Sequence, residues 1–320
     1  MNARPSLKKI AVASRTFSQH PTLRKELLEK YPQAKFNDAG ISLKGKGLID
    51  YLEDADGAIL ALEPIDNDIL SALPNLKVIG KFGVGFDKID LQALINHKVH
   101  LGWTGGVNKR AVSELALCMM ISLLRHVDIS GREIRSGDWK LRPGRELSSQ
   151  TVGIIGCGHV GKDLVYLLKA FGCRILVTDI NPDHDFYTHH KITHVDLDTL
   201  VKSADIISLH TPLNENTRNL ISAEKLKLMK ESSILINTAR GGLVDEDALK
   251  ISLQRNQIAG AAFDVFASEP PEDIELLQLS NFLVTPHIGG SAADAILAMG
   301  RGAIDGLENN RVPEIGVYPV

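Results

Sequence analysis

Three segments of this chain each close on one side chain equipped for anion or proton chemistry. Asn237-Thr238-Ala239-Arg240-Gly241-Gly242 offers a guanidinium. Phe263-Asp264-Val265-Phe266-Ala267-Ser268-Glu269-Pro270-Pro271 offers a carboxylate, and Thr285-Pro286-His287-Ile288-Gly289-Gly290-Ser291 an imidazole. An arginine fork grips a carboxylate through two parallel hydrogen bonds and can polarise a neighbouring carbonyl. Histidine titrates near neutral pH, so it can give or take a proton. A glutamate beside it favours the imidazolium. The set suits a 2-oxo acid that gains a hydride: Arg240 holds the carboxylate, and His287, backed by Glu269, protonates the oxygen. Each residue also has a plainer reading, as a surface ion pair, a solvated acid or a loop histidine. Joint placement is what favours chemistry.

That placement follows from the elements around them. Short β-branched runs alternate with helical patterns, the mark of parallel sheets with crossover helices. The second half reads as strands at Thr151–Gly156, Arg174–Asp179, Ile206–His210, Ile234–Thr238, Ala261–Val265 and Phe282–Thr285. Arg240, Glu269 and His287 follow the last three. In open α/β sheets the ligand crevice lies at the carboxyl ends of the strands.

The first of these strands runs into Gly156-Cys157-Gly158-His159-Val160-Gly161. G-x-G-x-x-G alone is a weak signal, but here a strand precedes it and a helical face of Leu164, Val165, Leu167, Leu168 and Phe171 follows. Gly156 allows the tight turn, Gly158 the approach of a pyrophosphate, and Gly161 close helix–strand packing. The pyrophosphate sits on the helix N-terminus, beside His159 and Val160. Asp179 ends the next strand, where a carboxylate accepts from ribose hydroxyls and repels a 2′-phosphate. The expected cofactor is therefore NAD.

The first half carries strands at Lys9–Ala13, Gly57–Ala61, Lys77–Lys81 and Val99–Trp103, a flavodoxin-like unit. One long helix is expected from Val112 to Ser136, then a polar stretch from Gly137 to Ser149. A length of 320 residues suggests two domains. The formal net charge of -3 points to neither nucleic acid nor an anionic membrane. Cys118, Cys157 and Cys173 lie in apolar segments, and their odd number argues against a disulfide framework. A reducing, cytoplasmic setting fits. The polar N-terminus lacks an apolar signal core, and Leu115–Leu124 is too short to span a membrane.

These motifs, with Gly80-Lys81-Phe82-Gly83-Val84-Gly85-Phe86-Asp87 and His210-Thr211-Pro212-Leu213, resemble the D-isomer-specific 2-hydroxyacid dehydrogenase family. The nearest resemblance is to its phosphoglycerate dehydrogenase branch. It covers nearly the whole chain. It implies an α/β fold of two Rossmann/flavodoxin-like parallel-sheet domains, with an NAD-binding domain (102–289) inserted into a substrate-binding domain (1–101 plus 290–320). Closure of the two lobes around the substrate is implied too.

Arg240, Glu269 and His287 match the family's catalytic positions. Asp264 matches a contact to the nicotinamide carboxamide, and Thr211, with Pro212, an adenosine-side contact. Thr238, Ala239, Gly290 and Val84 complete the cofactor set. Gly83, Val84 and Gly85 match a loop whose N–H groups receive the substrate carboxylate, and Asn108 a substrate-side polar position. A homodimer through the long helix region is implied as well.

There are departures. Some members place an arginine on the third strand-end of the first domain to meet a substrate phosphate; here Leu60-Ala61-Leu62-Glu63-Pro64-Ile65 has none and adds a negative charge. Lys81 remains as an anion contact, with Arg142 or Arg145 as alternatives. The chain stops at Val320, so feedback through an added regulatory domain is not expected. The phosphoglycerate pair is the first substrate expectation, with glyoxylate, hydroxypyruvate or lactate as alternatives. A nicotinamide-sensing binding protein like the C-terminal binding protein corepressors is the reading from another class. An intact Glu269 and His287 count against a formate-type oxidation.

His184, His189, His190 and His194 lack the spacing of a zinc site and read as a solvated loop, so no metal is expected. Asp245-Glu246-Asp247 reads as a helix start, and Trp103 and Trp139 as packing residues.

Overall fold

The computed structural model describes residues 7–315; the outermost parts of the expected substrate domain, 1–6 and 316–320, lie outside them. Two compact units form, and the chain enters the second after Asn108 and leaves it after Ser291. The breaks therefore fall at 108/109 and 291/292, rather than at 101/102 and 289/290. Residues 103–108 stay with the first unit. Trp103 packs at 5.0 Å against Phe86 with the rings tilted by 52°, and a Cβ on Gly302 would lie 3.6 Å from Thr104.

The first unit carries β1 Ile10–Val12, β2 Lys35–Phe36, β3 Gly57–Leu60, β4 Val78–Lys81 and β5 His100–Gly102. All pair in parallel, in the order β2-β1-β3-β4-β5. Strands β1, β3 and β4 are buried along their length, as expected of a parallel sheet covered on both faces. The C-terminal helix Ala293–Gly306 completes this unit. A Cβ on Gly102 would lie 2.0 Å from the Gly306 carbonyl oxygen, so only glycine lets helix and strand touch here. The two-residue β2 is too short to read from periodicity.

The second unit carries β6 Thr151–Ile155, β7 Arg174–Thr178, β8 Thr193–His194, β9 Ile206–Leu209, β10 Ile234–Asn237, β11 Gly260–Phe263 and β12 Phe282–Val284. Its order is β12-β11-β10-β9-β6-β7-β8, all parallel. The chain reverses direction across the sheet between β6 and β9, the switch point at which such sheets bind dinucleotides. Two apolar layers cover the sheet. One includes Ile207, Leu235 and Phe263, and the other Ile206, Ile236 and Ala262.

Three helical expectations change. The long helix is two, Lys109–Leu124 and Val127–Arg135, broken where His126 turns left-handed at φ 57°. Phe171 is 41% exposed although the motif helix His159–Phe171 buries Leu164, Val165 and Leu168. It is the last helical residue, before the left-handed Gly172, and its ring stays partly in water. The histidine-rich stretch is not a loop but the helix His184–His190, followed by β8. Asp183 caps this helix, and His190 packs on Phe186 at 4.4 Å and Tyr166 at 4.9 Å. Cys118 is exposed, while Cys157 and Cys173 are buried; all three are free. Trp139 does not pack: it is 81% exposed. Among the described residues no helix is long and apolar enough to cross a membrane.

Candidate active site

Six turns at the carboxyl ends of the second sheet carry nearly all the chemistry. Gly156 follows β6, Asp179 β7, Thr211 β9, Arg240 β10, Glu269 β11 and His287 β12. On the β6 side the glycines have separable jobs. Gly156 adopts φ 88°, and a Cβ there would lie 2.8 Å from the His210 carbonyl carbon. A Cβ on Gly161 would lie 2.3 Å from the Gly156 oxygen, while one on Gly158 meets nothing within 4 Å. Gly158 is also the N-cap of the motif helix and gives it no side-chain cap bond. The first-turn N–H groups beside exposed His159 and half-buried Val160 are thus left for an anion.

Asp179 is bound into this turn. Its Oδ2 accepts the Cys157 N–H at 2.6 Å and its Oδ1 the Asn181 N–H at 2.8 Å. A carboxylate has about four acceptor positions, so two more can serve a diol. Burial first, and Asp179 second, push the Cys157 thiol up to about 11, so it is no nucleophile. Further along, the Oγ1 atoms of Thr211 and Thr238 are buried without a hydrogen-bond partner among the described residues. Buried hydroxyls are seldom left unpaired. With the open Gly158 and the uncapped helix, they fit a dinucleotide laid across the switch point. Pro212 is exposed and Ala239 half-buried on the same turns.

Across the sheet, His287 and Glu269 meet. Nδ1 of His287 lies 2.8 Å from Oε2 of Glu269. A carboxylate there only accepts, so Nδ1 carries the proton and Nε2 is turned away from it. Oε1 of Glu269 accepts the Phe266 N–H at 3.2 Å, which fixes the carboxylate's direction. His287 is left-handed, at φ 54°. Arg240 donates from Nη1 to the Ala239 carbonyl at 2.7 Å, folding its side chain back over its own turn.

Asp264 does more than its spacing suggested. It is 1% exposed, and its Oδ1 accepts Thr285 Oγ1 at 2.5 Å and the Ile288 N–H at 2.7 Å. Its Oδ2 accepts the Gly289 N–H at 2.7 Å. One carboxylate thus clamps both flanks of His287, and Gly290 continues the same turn. An aspartate at a strand end, 23 residues before a histidine, carries no sequence signal for this.

In the first unit, Gly83 adopts φ 107°, and the Val84 carbonyl accepts from Trp103 Nε1 at 3.2 Å. The Gly83-Val84-Gly85 loop is half-buried, with small residues that let backbone donors approach an anion. Lys81 is buried beside this loop. It is 5% exposed, and its Nζ donates to the carbonyls of Ala61 at 2.6 Å and Phe82 at 3.2 Å. It props the turns from beneath rather than presenting a charge at the surface. Glu63, 7% exposed, also turns inward, its Oε2 accepting the Ala61 N–H at 2.6 Å. Arg142 pairs with Glu133, and Arg145 donates to the Ser232 carbonyl at 2.6 Å. Asn108 is buried at the end of the first unit, its Oδ1 without a partner among the described residues.

Residues 117–289 match the profile of the D-isomer specific 2-hydroxyacid dehydrogenase, NAD binding domain. A hydroxypyruvate reductase of Thermotoga maritima is 40% identical over 71% of this chain and 75% of its own length. A D-3-phosphoglycerate dehydrogenase of Synechocystis sp. is 35% identical over 81% of this chain, which spans 47% of that protein. The crystal structure of a D-lactate dehydrogenase from Aquifex aeolicus, complexed with NAD and lactic acid, superposes with a TM-score of 0.82. It is 25% identical, over 94% of both chains.

Proposed function

This chain belongs to the D-isomer specific 2-hydroxyacid dehydrogenase family, and from that premise we propose that it interconverts a short, unphosphorylated 2-oxo acid, hydroxypyruvate or glyoxylate, and its D-2-hydroxy acid, with NAD. Members are oxidoreductases that act on the CH–OH group with a nicotinamide cofactor, which supplies or takes up the hydride when bound. Arg240 grips the substrate carboxylate and draws charge from the adjacent carbonyl oxygen. His287 gives its Nε2 proton to that oxygen in reduction and takes it back in oxidation. Glu269 orients the ring and fixes which nitrogen faces the substrate. Both side chains are roughly half exposed, so the pair adds only ~0–1 kcal/mol to stability. Its use lies in aiming a proton. The observation that carries this reading is the 2.8 Å pairing of His287 with Glu269, on turns next to that of Arg240.

NAD is favoured over NADP by Asp179, whose charge opposes a 2′-phosphate, and by Ile180 beside it, which is 95% exposed and has no charge to offer. A phosphorylated substrate would call for added positive charge. The turn from Leu60 to Ile65 offers none, and Lys81 is spent on backbone carbonyls. That favours the unphosphorylated acid over the phosphoglycerate pair, which stays as the second reading through the similarity to the Synechocystis protein. A homodimer is part of the proposal. The helix Val127–Arg135 buries none of its side chains, and Trp139 and Leu141 beyond it are 81% and 89% exposed.

The test is NADH oxidation against 3-phosphohydroxypyruvate, hydroxypyruvate, glyoxylate, pyruvate and bulkier 2-oxo acids, with Arg240→Ala alongside. Turnover on hydroxypyruvate or glyoxylate that falls by about a thousandfold in the variant is expected. A preference for the phosphorylated acid would replace the substrate, and near-normal turnover by Arg240→Ala would remove the role given to Arg240.

A further inference from the structure

Asp245-Glu246-Asp247 reads from sequence as a helix start, yet only Asp245 caps the helix Glu246–Gln254, its Oδ1 accepting the Ala248 N–H at 3.0 Å. Glu246 reaches elsewhere. Its Oε1 accepts the N–H of Ala267 at 2.8 Å. Ala267 stands two residues before Glu269, within the turn whose Phe266 N–H is taken by Glu269 itself at 3.2 Å. Two consecutive N–H groups are thus held by two carboxylates, one of which is the partner of His287. The approach is close. A Cβ on Gly241 would fall 1.9 Å from the carbonyl carbon and oxygen of Phe266, so the chain leaving Arg240 runs directly against this turn before it reaches Glu246.

We propose that Glu246 is a positioning residue for the acid–base pair: its carboxylate anchors the Phe266–Glu269 turn at Ala267 and thereby sets where Glu269 meets His287. The proposal rests on the reading of Glu269 and His287 as that pair. Helix capping does not account for Glu246, since Asp245 already fills that role. Its surroundings do not favour another charge either. Asp247, Asp273 and Glu269 face it, and the nearby Lys250 is engaged by Asp273 at 2.7 Å and Glu275 at 3.7 Å. Burial, and after it these acids, hold the Glu246 carboxyl above the usual carboxylate range although the Ala267 N–H pulls the other way. A half-buried acid in acidic company is explained by what it holds.

The test uses Glu246→Gln, Glu246→Ala, Glu269→Gln and Asp245→Ala in the full chain. Hydroxypyruvate reduction is followed from about pH 5 to pH 9, with NADH affinity read by fluorescence. Glutamine keeps an acceptor oxygen for Ala267 and drops the charge; alanine removes both. Glu246→Ala is expected to lower kcat by roughly 10- to 100-fold, the loss of one charge-assisted hydrogen bond, at nearly unchanged NADH affinity. It should also move the alkaline limb of the pH profile the same way as Glu269→Gln does. Glu246→Gln should keep kcat within about threefold and hold the profile. Asp245→Ala, which weakens the same helix without touching the turn, should lower Tm and leave the profile in place. Wild-type kcat and profile in Glu246→Ala overturn the proposal. So does a Glu246→Gln as impaired as Glu246→Ala, because then the charge and not the anchor matters. Wild-type behaviour of Glu269→Gln would instead sink the underlying acid–base reading, whatever the Glu246 variants do.

Discussion

Replacing Asp264 by asparagine is the sharpest perturbation of the catalytic turn, since it changes no shape. Three donors converge on the Asp264 carboxylate: Thr285 Oγ1 and the Ile288 N–H on Oδ1, and the Gly289 N–H on Oδ2. Asparagine has one acceptor oxygen. Its best orientation keeps the two bonds at the Oδ1 position and turns an NH2 group against the Gly289 N–H. The lost bond to a charged group is worth about 1.5–3 kcal/mol. The two that remain become neutral bonds of roughly half the strength. At 1% exposure no water replaces them, and the sum is on the order of 3–6 kcal/mol. At about 2–4 °C per kcal/mol for a domain of this size, Tm should fall by roughly 6–24 °C.

The turn also holds His287 at φ 54°, a conformation that surrounding structure must enforce. Released, the imidazole drifts from the carbonyl oxygen, and a displacement near 1 Å costs roughly 100-fold in kcat. The assay is calorimetry beside steady-state reduction, with Thr285→Val as control. That variant removes one of the three donors and should cost about 1.5–3 kcal/mol, roughly half of the asparagine effect. A Tm within 2 °C of wild type, or a large Tm loss with full kcat, would refute the reasoning: the first denies the clamp, the second its link to His287.

Two other outcomes follow from the cofactor side. Asp179→Asn keeps an acceptor for one of Cys157 and Asn181 but removes the charge, so the preference for NADH over NADPH should shrink about 10-fold or more; fluorescence titrations with unchanged selectivity would mean that another group reads the ribose. His210, whose Nε2 lies 2.9 Å from Ser208 Oγ, is lowered by burial to about 4. Its folded value lies below the ordinary 6.5, so the unfolded chain binds the proton first, and stability falls as pH drops from about 6.5 toward 4, by on the order of 2–3 kcal/mol. Urea unfolding across that window should fall less steeply in His210→Asn; identical slopes would show that His210 is not the group responsible.

Much of this site can be read in the sequence because its signals are local. Gly156, Gly158 and Gly161 announce a turn between a strand and a helix, and Asp179 closes the next strand. Arg240, Glu269 and His287 each trail a β-branched run, so strand ends gather them without any long-range knowledge. What spacing leaves out is where a long side chain goes. Lys81 ends a strand, but β3 and β4 are paired with Leu60 opposite Lys81, which brings the Ala61 carbonyl to its ammonium, a contact no spacing announces. Trp139 looked like core because it is tryptophan, and nothing in its own unit covers it. The helix break at His126 has no proline or glycine to announce it; a left-handed histidine makes the turn.

What sequence spacing hides most completely is the sharing of backbone N–H groups between successive turns. Asp264, at the end of β11, serves the turn after β12; Glu246, beyond the turn after β10, serves the turn after β11. Gly241 lets the first of these turns lie against the second. The turns after β11 and β12 thus have backbone donors taken by a neighbouring turn's carboxylate, beside the Phe266 N–H that Glu269 takes within its own, as buried backbone groups demand. The consequence is mechanical. Arg240, Glu269 and His287 do not sit on three independent loops whose errors add. They sit on turns cross-tied at Gly241, Ala267, Ile288 and Gly289. On the proposed reading, an arrangement of this kind ties the proton donor to the anion clamp more tightly than loops alone would hold them, which matters for a small acid, because so small a substrate offers few contacts of its own to correct a misplaced group.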